Sequence, residues 1–155
     1  MALIYYVTQI QFEFGAVKLL KAECERVGIS RPLIVTDQGV KAAGVLQKAL
    51  DALPGLRVAV FDETPSNPTE AAVRAAVLVY QAGGCDGLIA VGGGSAIDCA
   101  KGVAIAVTHE GPLTHYATIE GGSPRITDRV APIIAVPTTS GTGSEVARGA
   151  IIIVD

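Results

Sequence analysis

The fold is decided by residues 88–100, which read LIAVGGGSAIDCA. The apolar run predicts a strand buried on both faces, and the pattern after the glycines predicts a helix that begins at Ser95. Consecutive glycines allow the main chain to turn sharply and leave its N–H groups uncovered by side chains. The positive end of the helix dipole points at the same place. The stretch therefore predicts a phosphate-binding turn or, as the alternative, a glycine turn that only connects packed elements.

Two polar residues of this stretch, Ser95 and Asp98, have the spacing of a helix capping box. In such a box the serine accepts a hydrogen bond from the main chain, and the acidic residue three positions later reaches back to it. We therefore expect Ser95 to be the N-cap of the helix and Asp98 to complete the box.

The composition is that of one apolar domain. The chain has 155 residues, of which 50% are apolar and 17% are charged, and its mean hydropathy is +0.46. This length predicts a single domain over residues 1–155 with a sizeable core. Because charged side chains are sparse, either a sheet is buried on both faces or part of the surface meets another domain or subunit. A homo-oligomer is expected.

Charge, hydropathy and cysteine content restrict the partners and the compartment. A net charge of −3 and a pI of about 5.3 provide no basic field, so nucleic acid is not an expected partner. The apolar runs are too short to span a bilayer, and the first residues lack the pattern of a signal peptide. Cys24, Cys85 and Cys99 form no C-x-x-C motif. They are expected to be small buried side chains of a cytoplasmic protein with no membrane contact.

Short apolar runs alternate with helical patterns along the chain. Strands are predicted at 33–36, 56–61, 87–91, 132–136 and 150–154, with one or two more within 3–14. Helices are predicted at 16–27, at 39–53, from the N-cap Asn67 to residue 82, and at 95–107, and residues 108–129 are predicted as a polar loop. This alternation predicts an α/β fold, a Rossmann-like parallel sheet with helices on both faces.

Polar or glycine-rich residues follow four of the predicted strands. Asp37 follows the strand 33–36, Asn67 lies soon after 56–61, the glycine turn follows 87–91, and the hydroxyl-rich loop 138–144 follows 132–136. In open parallel sheets ligands bind beyond the carboxyl ends of the strands, near a topological switch. We therefore expect these four stretches to lie together at one site.

A structural role competes with a ligand role at each position. Asp37 can accept hydrogen bonds from a ribose diol and repel a 2′-phosphate, which favours NAD over NADP, or it can cap a turn or helix before Gly39. Asn67 is explained as an N-cap, with a ligand contact in addition. The loop 138–144 either donates hydrogen bonds to a ligand or is a flexible, capping loop.

Other motifs do not fit the sequence. The phosphate loop G-x-x-x-x-G-K-[ST] is absent, and the pattern G-x-G-x-x-G counted from Gly92 meets Ile97 where a glycine is needed. The hydrolase pattern G-x-S-x-G fails at each candidate serine. His109 and His115 have no carboxylate or cysteine at ligand spacing, so they are not predicted to form a metal pair.

Two motifs together resemble the iron-containing (group III) alcohol dehydrogenase family. They are GGGSAIDCAK at 92–101 and PTTSGTGSEV at 137–146, and Asp37 and the run 67–69 fall where that family also has ligand residues. The resemblance covers essentially the whole chain and implies the N-terminal domain of the dehydroquinate synthase-like fold. It also implies an oxidoreductase that interconverts an alcohol and an aldehyde or ketone by hydride transfer with NAD, NADP being less favoured.

The resemblance also assigns cofactor contacts by position. Asp37 would bind the adenosine ribose, Asn67 would lie along the cofactor, and Asp98 would support the glycine turn. The pyrophosphate would be held by Gly93, Gly94 and Ser95. The adenine and nicotinamide-ribose side would be contacted by Thr138, Thr139, Thr142 and Ser144.

By the same resemblance, the metal ligands of the family fall outside this sequence. Such enzymes have a following helical domain that supplies an Asp and three His for Fe²⁺ or Zn²⁺ and most of the substrate pocket. No catalytic or metal residue is therefore expected in residues 1–155, and the chain alone is expected to bind cofactor without oxidising an alcohol. The alternative is a non-catalytic nucleotide-binding module or a truncated fragment.

Overall fold

The computed structural model describes residues 8–154, which form a four-stranded parallel sheet covered by helices. The strands are β1 (Pro32–Val35), β2 (Ala59–Phe61), β3 (Gly87–Gly92) and β4 (Ile133–Pro137). Their order across the sheet is β2-β1-β3-β4, and every neighbouring pair is parallel. The chain moves outward from β1 to β2 and then returns to the other side of β1. This reversal creates a topological switch between β1 and β3.

Helices cover both faces of the sheet. They are α1 (Leu20–Val27), α2 (Gln38–Ala42), α3 (Val45–Asp51), α4 (Glu70–Gly83) and α5 (Gly94–Ala106). Leu33 and Leu88 belong to the core cluster formed with α4 and α5, whereas Ile34 and Ile89 belong to the cluster formed with α1 and α3. Successive strand residues point to opposite faces, so a sheet covered on both sides requires strands that are apolar throughout. The predicted fold class is confirmed.

Most predicted elements lie where the sequence placed them. The strands predicted at 33–36, 87–91 and 132–136 are each found within one residue, as is the helix at 95–107. The helix predicted at 16–27 begins as a 3₁₀ turn (Ala16–Leu19), continues as α1 and ends at Gly28 with a φ of 79°. The polar stretch 108–129 contains short 3₁₀ turns at Leu113–Tyr116, Thr118–Glu120 and Ser123–Arg125.

The helix predicted at 39–53 is two helices, α2 and α3. They are separated at Gly44, which has a φ of 73° and is the N-cap residue of α3. Glycine adopts this left-handed conformation without the steric cost that other residues incur. The apolar periodicity reports only which side of the chain is buried, so it did not reveal the break.

The strands predicted near the two ends of the chain are wrong where the structure describes them. Residues 150–154 do not form a strand of the sheet, and they contain one isolated bridge, between Ile153 and Thr69. Residues 8–14 are irregular, and residues 3–7 of that prediction lie outside the described part. In the first case Ile152 packs against the cluster of α4 and α5, so the apolar pattern reflects burial against helices.

The start of α4 also differs from the prediction, because Thr69 and not Asn67 is the N-cap. The Thr69 hydroxyl accepts a hydrogen bond of 3.2 Å from the main-chain N–H three residues later. Ile153 pairs with the chain on either side of this cap, accepting from the Glu70 N–H at 2.8 Å and donating to the Pro68 carbonyl at 2.9 Å. This extended pairing accompanies an extended conformation at Thr69, so the helix begins at Glu70, later than the sequence pattern indicated.

Replacing these two residues separately tests the reassigned cap. Thr69→Ala should lower the free energy of unfolding by about 0.5–2 kcal/mol, because an N–H at the start of α4 loses its acceptor. The matched variant Asn67→Ala should change it by less than about 0.5 kcal/mol, because Asn67 is exposed. Urea denaturation followed by circular dichroism measures both. A larger loss in Asn67→Ala than in Thr69→Ala would return the cap to Asn67.

Candidate functional site

A cleft of about 740 Å³ lies at the carboxyl edge of the sheet, around the switch between β1 and β3. Its walls come from four places in the sequence: the start of α2 after β1, residues 62–66 after β2, the turn between β3 and α5, and Thr138 and Thr139 after β4. Each wall follows a strand end, and the sequence predicted this except after β2, where residues 62–66 and not Asn67 line the cleft. The parallel sheet therefore brings four segments that are distant in sequence to one opening.

The predicted site residues divide into three groups by their position. Those that line the cleft are Asp37, Gly93, Ser95, Thr138 and Thr139. Gly94 belongs to the glycine turn but does not line the cleft, and Thr142 and Ser144 pack against it. Asn67 and Asp98 lie outside the cleft lining.

Asp37 is the helix cap that the sequence offered as one of its two roles, and its position also leaves room for the other role, a ligand contact. One carboxylate oxygen, Oδ1, accepts a hydrogen bond of 2.9 Å from the Val40 N–H, so Asp37 is the N-cap of α2. The other, Oδ2, lies 3.5 Å from the point where a Cβ on Gly92 would stand. Capping thus uses one oxygen, and the second is directed toward the glycine turn across the switch. The ribose contact remains a prediction.

The glycine turn starts α5 without a side-chain cap. Gly93, in extended conformation with φ −80° and ψ −165°, is the N-cap residue, and no side chain among the described residues accepts a hydrogen bond there in the manner of a cap. The requirement for glycine comes from close packing: a Cβ on Gly92 would lie 2.7 Å from the Ala96 Cβ. A helix start with uncapped N–H groups and a positive dipole end favours an anion.

Ser95 is not the N-cap that the sequence predicted, because the helix begins before it, at Gly94. Its hydroxyl donates to the main-chain carbonyl of Ser66, in the loop after β2. The side chain therefore joins two walls of the cleft. Asn67, the next residue along that loop, is exposed.

The hydroxyl-rich loop packs directly on the glycine turn. The Thr138 N–H donates to the Gly92 carbonyl at 2.9 Å. Thr139 Oγ1 lies 3.2 Å from the position of a Cβ on Gly93, and Ser144 Oγ lies 3.0 Å from that on Gly94. A side chain at either glycine would crowd these hydroxyl groups, so the two motifs singled out in the sequence pack closely against each other.

The Asp98 carboxylate makes its hydrogen bonds away from the glycine turn. Its Oδ2 accepts a hydrogen bond of 3.0 Å from the Ile151 N–H, and Lys101 Nζ lies 3.4 Å from its Oδ1. The side chain is directed along α5 toward the segment that follows the hydroxyl loop. The contact depends on the main-chain N–H of Ile151, a residue that was predicted to belong to a strand. The sequence therefore contained no indication of it.

The sequence analysis missed the loop after β2, residues 62–66. Asp62 lines the cleft and pairs with Lys41 of α2 at 2.5 Å. Hydrogen bonding to Lys41 lowers the pKa of the Asp62 carboxyl. The polar composition of residues 62–66, directly after the predicted strand 56–61, was the signal that the sequence contained.

The described residues supply no metal site. Within 8–154 no group of three or more His, Cys, Asp and Glu side chains is placed to hold a metal ion. His109 is buried against the polar loop, where its Nε2 accepts from the Thr127 N–H at 2.9 Å. The described helices also contain none long and apolar enough to cross a bilayer. Residues 8–154 therefore do not fit a metal ion of their own.

The cysteines are free thiols and do not line the cleft. Cys24 and Cys99 are buried, and burial raises the pKa of each thiol to about 11. Cys85 is half-buried, and burial raises its pKa as well. A nucleophilic cysteine is the thiolate, so none of the three is activated.

The chain matches known proteins along its whole described length. The family profile "Iron-containing alcohol dehydrogenase" matches residues 7–155. The 4-hydroxybutyrate dehydrogenase of Cupriavidus necator is 74% identical over 155 residues, which are 100% of this chain and 41% of that protein. The crystal structure of a 1,3-propanediol oxidoreductase has a TM-score of 0.79 and 35% identity, covering 91% of this chain and 42% of that one.

A further structure, sulfoacetaldehyde reductase from Bifidobacterium kashiwanohense in complex with NAD⁺, has a TM-score of 0.75 and 28% identity, with coverage of 91% and 42%. The chain therefore spans about two-fifths of the length of the relatives it matches. The profile match, the parallel sheet and the two motifs at its carboxyl edge agree. The chain belongs to the iron-containing alcohol dehydrogenase family.

Proposed function

We propose that this chain is the NAD-binding part of an oxidoreductase that interconverts an alcohol and an aldehyde or ketone. The observation that carries the proposal is the uncapped start of α5, which opens into the cleft opposite the Asp37 carboxylate. A pyrophosphate suits the first feature and a ribose diol suits the second. The NAD⁺ bound to the 28% identical reductase supports the same assignment.

The cofactor would lie across the switch between β1 and β3. Main-chain N–H groups of Gly93, Gly94 and Ser95 would hold the pyrophosphate, and Asp37 would accept from the adenosine ribose. Hydroxyl groups of Thr138, Thr139, Thr142 and Ser144 would contact the adenine and nicotinamide-ribose side. Asn67 would lie along the cofactor from the loop after β2. Asp98 would act on the turn only indirectly, through Lys101 and the segment after the hydroxyl loop.

The part of this chain in the reaction would be to bind and orient NAD. A bound nicotinamide accepts or returns the hydride of the carbinol carbon, and the protein sets its position. We propose that Fe²⁺ or Zn²⁺ and most of the substrate contacts come from residues beyond 8–154, in a helical domain. The 74% identical relative makes 4-hydroxybutyrate the first substrate to test.

The remaining proposals concern the setting of the protein. Free thiols suit a reducing cytoplasm. Phe12 and Phe14 are 98% and 110% exposed, which suits a contact with another subunit or domain. The second candidate function is a non-catalytic nucleotide-binding module, which the absence of a metal cluster within 8–154 favours.

A bulky residue in the glycine turn should remove cofactor binding. In Gly93→Val the new side chain would start 3.2 Å from Thr139 Oγ1 and fill the space between the turn and the hydroxyl loop. NADH fluorescence titration should show loss of binding, with helix content by circular dichroism retained. Ala82→Val, at an exposed position of α4 outside the cleft lining, is the control. Normal NADH binding by Gly93→Val would move the pyrophosphate elsewhere.

Asp37 should set the preference between the two nicotinamide cofactors. Asp37→Asn keeps an N-cap but removes the charge that repels a 2′-phosphate. The preference for NADH over NADPH should fall by about 1–3 kcal/mol, measured by titration calorimetry. Asp51→Asn, at the end of α3, is the control and should leave the preference unchanged. Equal affinities for both cofactors in the unmutated protein would take Asp37 out of the site.

The 155-residue chain should bind NADH but not turn over an alcohol. Chelator-washed protein of verified mass should take up no stoichiometric Fe²⁺ or Zn²⁺, since residues 8–154 hold no ligand cluster. No NADH should form from NAD⁺ with 4-hydroxybutyrate or short alcohols. The full-length relative from Cupriavidus necator serves as the positive control. Bound metal with turnover by the verified chain would overturn the proposed division of roles.

A further inference from the structure

A partly buried lysine of α5 holds the segment that follows the hydroxyl loop. Lys101 Nζ donates to the main-chain carbonyls of Ser144 at 2.6 Å and Gly149 at 2.7 Å. It also lies 3.4 Å from Asp98 Oδ1, and the two side chains are only 13% and 11% exposed. These contacts connect one turn of α5 to chain positions far away in sequence.

The protons of the Lys101 ammonium group are matched by three acceptors. An ammonium that is removed from water is costly unless its charge is paired and its hydrogen bonds are made. Asp98 supplies the counter-charge and uses its other oxygen to accept from the Ile151 N–H at 3.0 Å. The pair therefore holds the segment 144–151 at both ends and in the middle. That segment has no regular secondary structure of its own.

The held segment packs against the glycine turn at one end. Lys101 Nζ donates a hydrogen bond to the main-chain carbonyl of Ser144. The hydroxyl of the same serine lies 3.0 Å from the Cβ position on Gly94. Thr142 lies against the same glycine, with its Cβ 3.3 Å from that position. A shift of Ser144 would consequently move the hydroxyl groups that back the glycine turn.

The other end of the segment reaches the start of α4. Ile153 pairs with Pro68 and Glu70 through main-chain hydrogen bonds of 2.9 and 2.8 Å. Between the two ends, Ile152 Cδ1 lies 2.6 Å from the Cβ position on Gly102, so the segment rests closely on α5. Residues 144–153 thus run from the back of the glycine turn to the loop that carries Asn67.

We propose that Lys101, neutralised by Asp98, is a positioning residue for the cofactor site. It keeps the hydroxyl loop in place against the glycine turn and does not itself line the cleft. The inference rests on the proposed NAD-binding function. Its physical basis is preorganisation: a loop already held in its bound position loses less conformational freedom when the ligand binds.

Hydrogen–deuterium exchange tests the holding of the loop without any cofactor. Lys101→Met should speed exchange of peptides within 138–153 by about tenfold or more, because freer main-chain segments open more often. Peptides within 20–35 should be unchanged and serve as an internal reference. Lys48→Met, an exposed lysine of α3, is the matched control. Unchanged exchange of 138–153 in folded Lys101→Met overturns the proposal.

NADH titration of single and double variants separates positioning from general stability. Lys101→Met should raise the Kd for NADH by about tenfold or more. The double variant Lys101→Met/Asp98→Asn no longer buries an unpaired carboxylate, so its stability in urea should recover toward that of the parent. Its Kd should stay high, because the carbonyls of Ser144 and Gly149 still lack their donor. It also provides a folded protein if the single variant does not fold.

The outcomes distinguish this proposal from the function on which it rests. If the Kd recovers together with stability in the double variant, Lys101 is a structural residue and the positioning role falls. If the parent chain binds no NADH, the proposed function fails, and with it the role toward cofactor. The exchange experiment then still decides whether Lys101 holds the loop.

Discussion

The close approach of the end of β3 to the first turn of α5 is the constraint on which the site depends. At Gly92 the strand passes so close to the first turn of α5 that a Cβ would lie 2.7 Å from the Ala96 Cβ. The same glycine accepts the N–H of Thr138 through its carbonyl, at 2.9 Å. Strand, helix and hydroxyl loop therefore meet at a place that admits no side chain. The N–H groups at the start of α5 lie beside this contact, so the contact fixes their position and direction.

Sequence patterns predicted what local physics decides. Apolar runs placed β1, β3 and β4 within one residue, because the strands of a sheet covered on both faces are apolar throughout. The helical pattern after the glycine turn placed α5 equally closely. Because ligands bind at the carboxyl ends of parallel strands, Asp37, the glycine turn and the hydroxyl loop were predicted to lie together. The structure places all three around one cleft. The cofactor contacts assigned to these residues remain predictions, since they depend on a ligand as well as on the fold.

What the sequence did not reveal was decided by partners distant along the chain. Asn67 and Ser95 both look like helix caps, but the pairing of Ile153 with residues 68–70 and the early start of α5 at Gly94 moved the caps to Thr69 and Gly93. Asp98 was expected at the turn and instead meets Lys101 and the Ile151 N–H. A capping motif specifies a local hydrogen bond, and main-chain groups from another segment can compete for the same atoms.

The burial of the cysteines has a chemical consequence for a protein handled in air. Alkylation and oxidation proceed through the thiolate, and a pKa of about 11 leaves Cys24 and Cys99 almost wholly protonated at neutral pH. Both are also sealed within the two core clusters that sandwich the sheet. A thiol reagent therefore meets Cys85 first, at the far end of α4 beside Gly83, away from the cleft. A label placed there reports on the protein and leaves the cleft chemically unmodified.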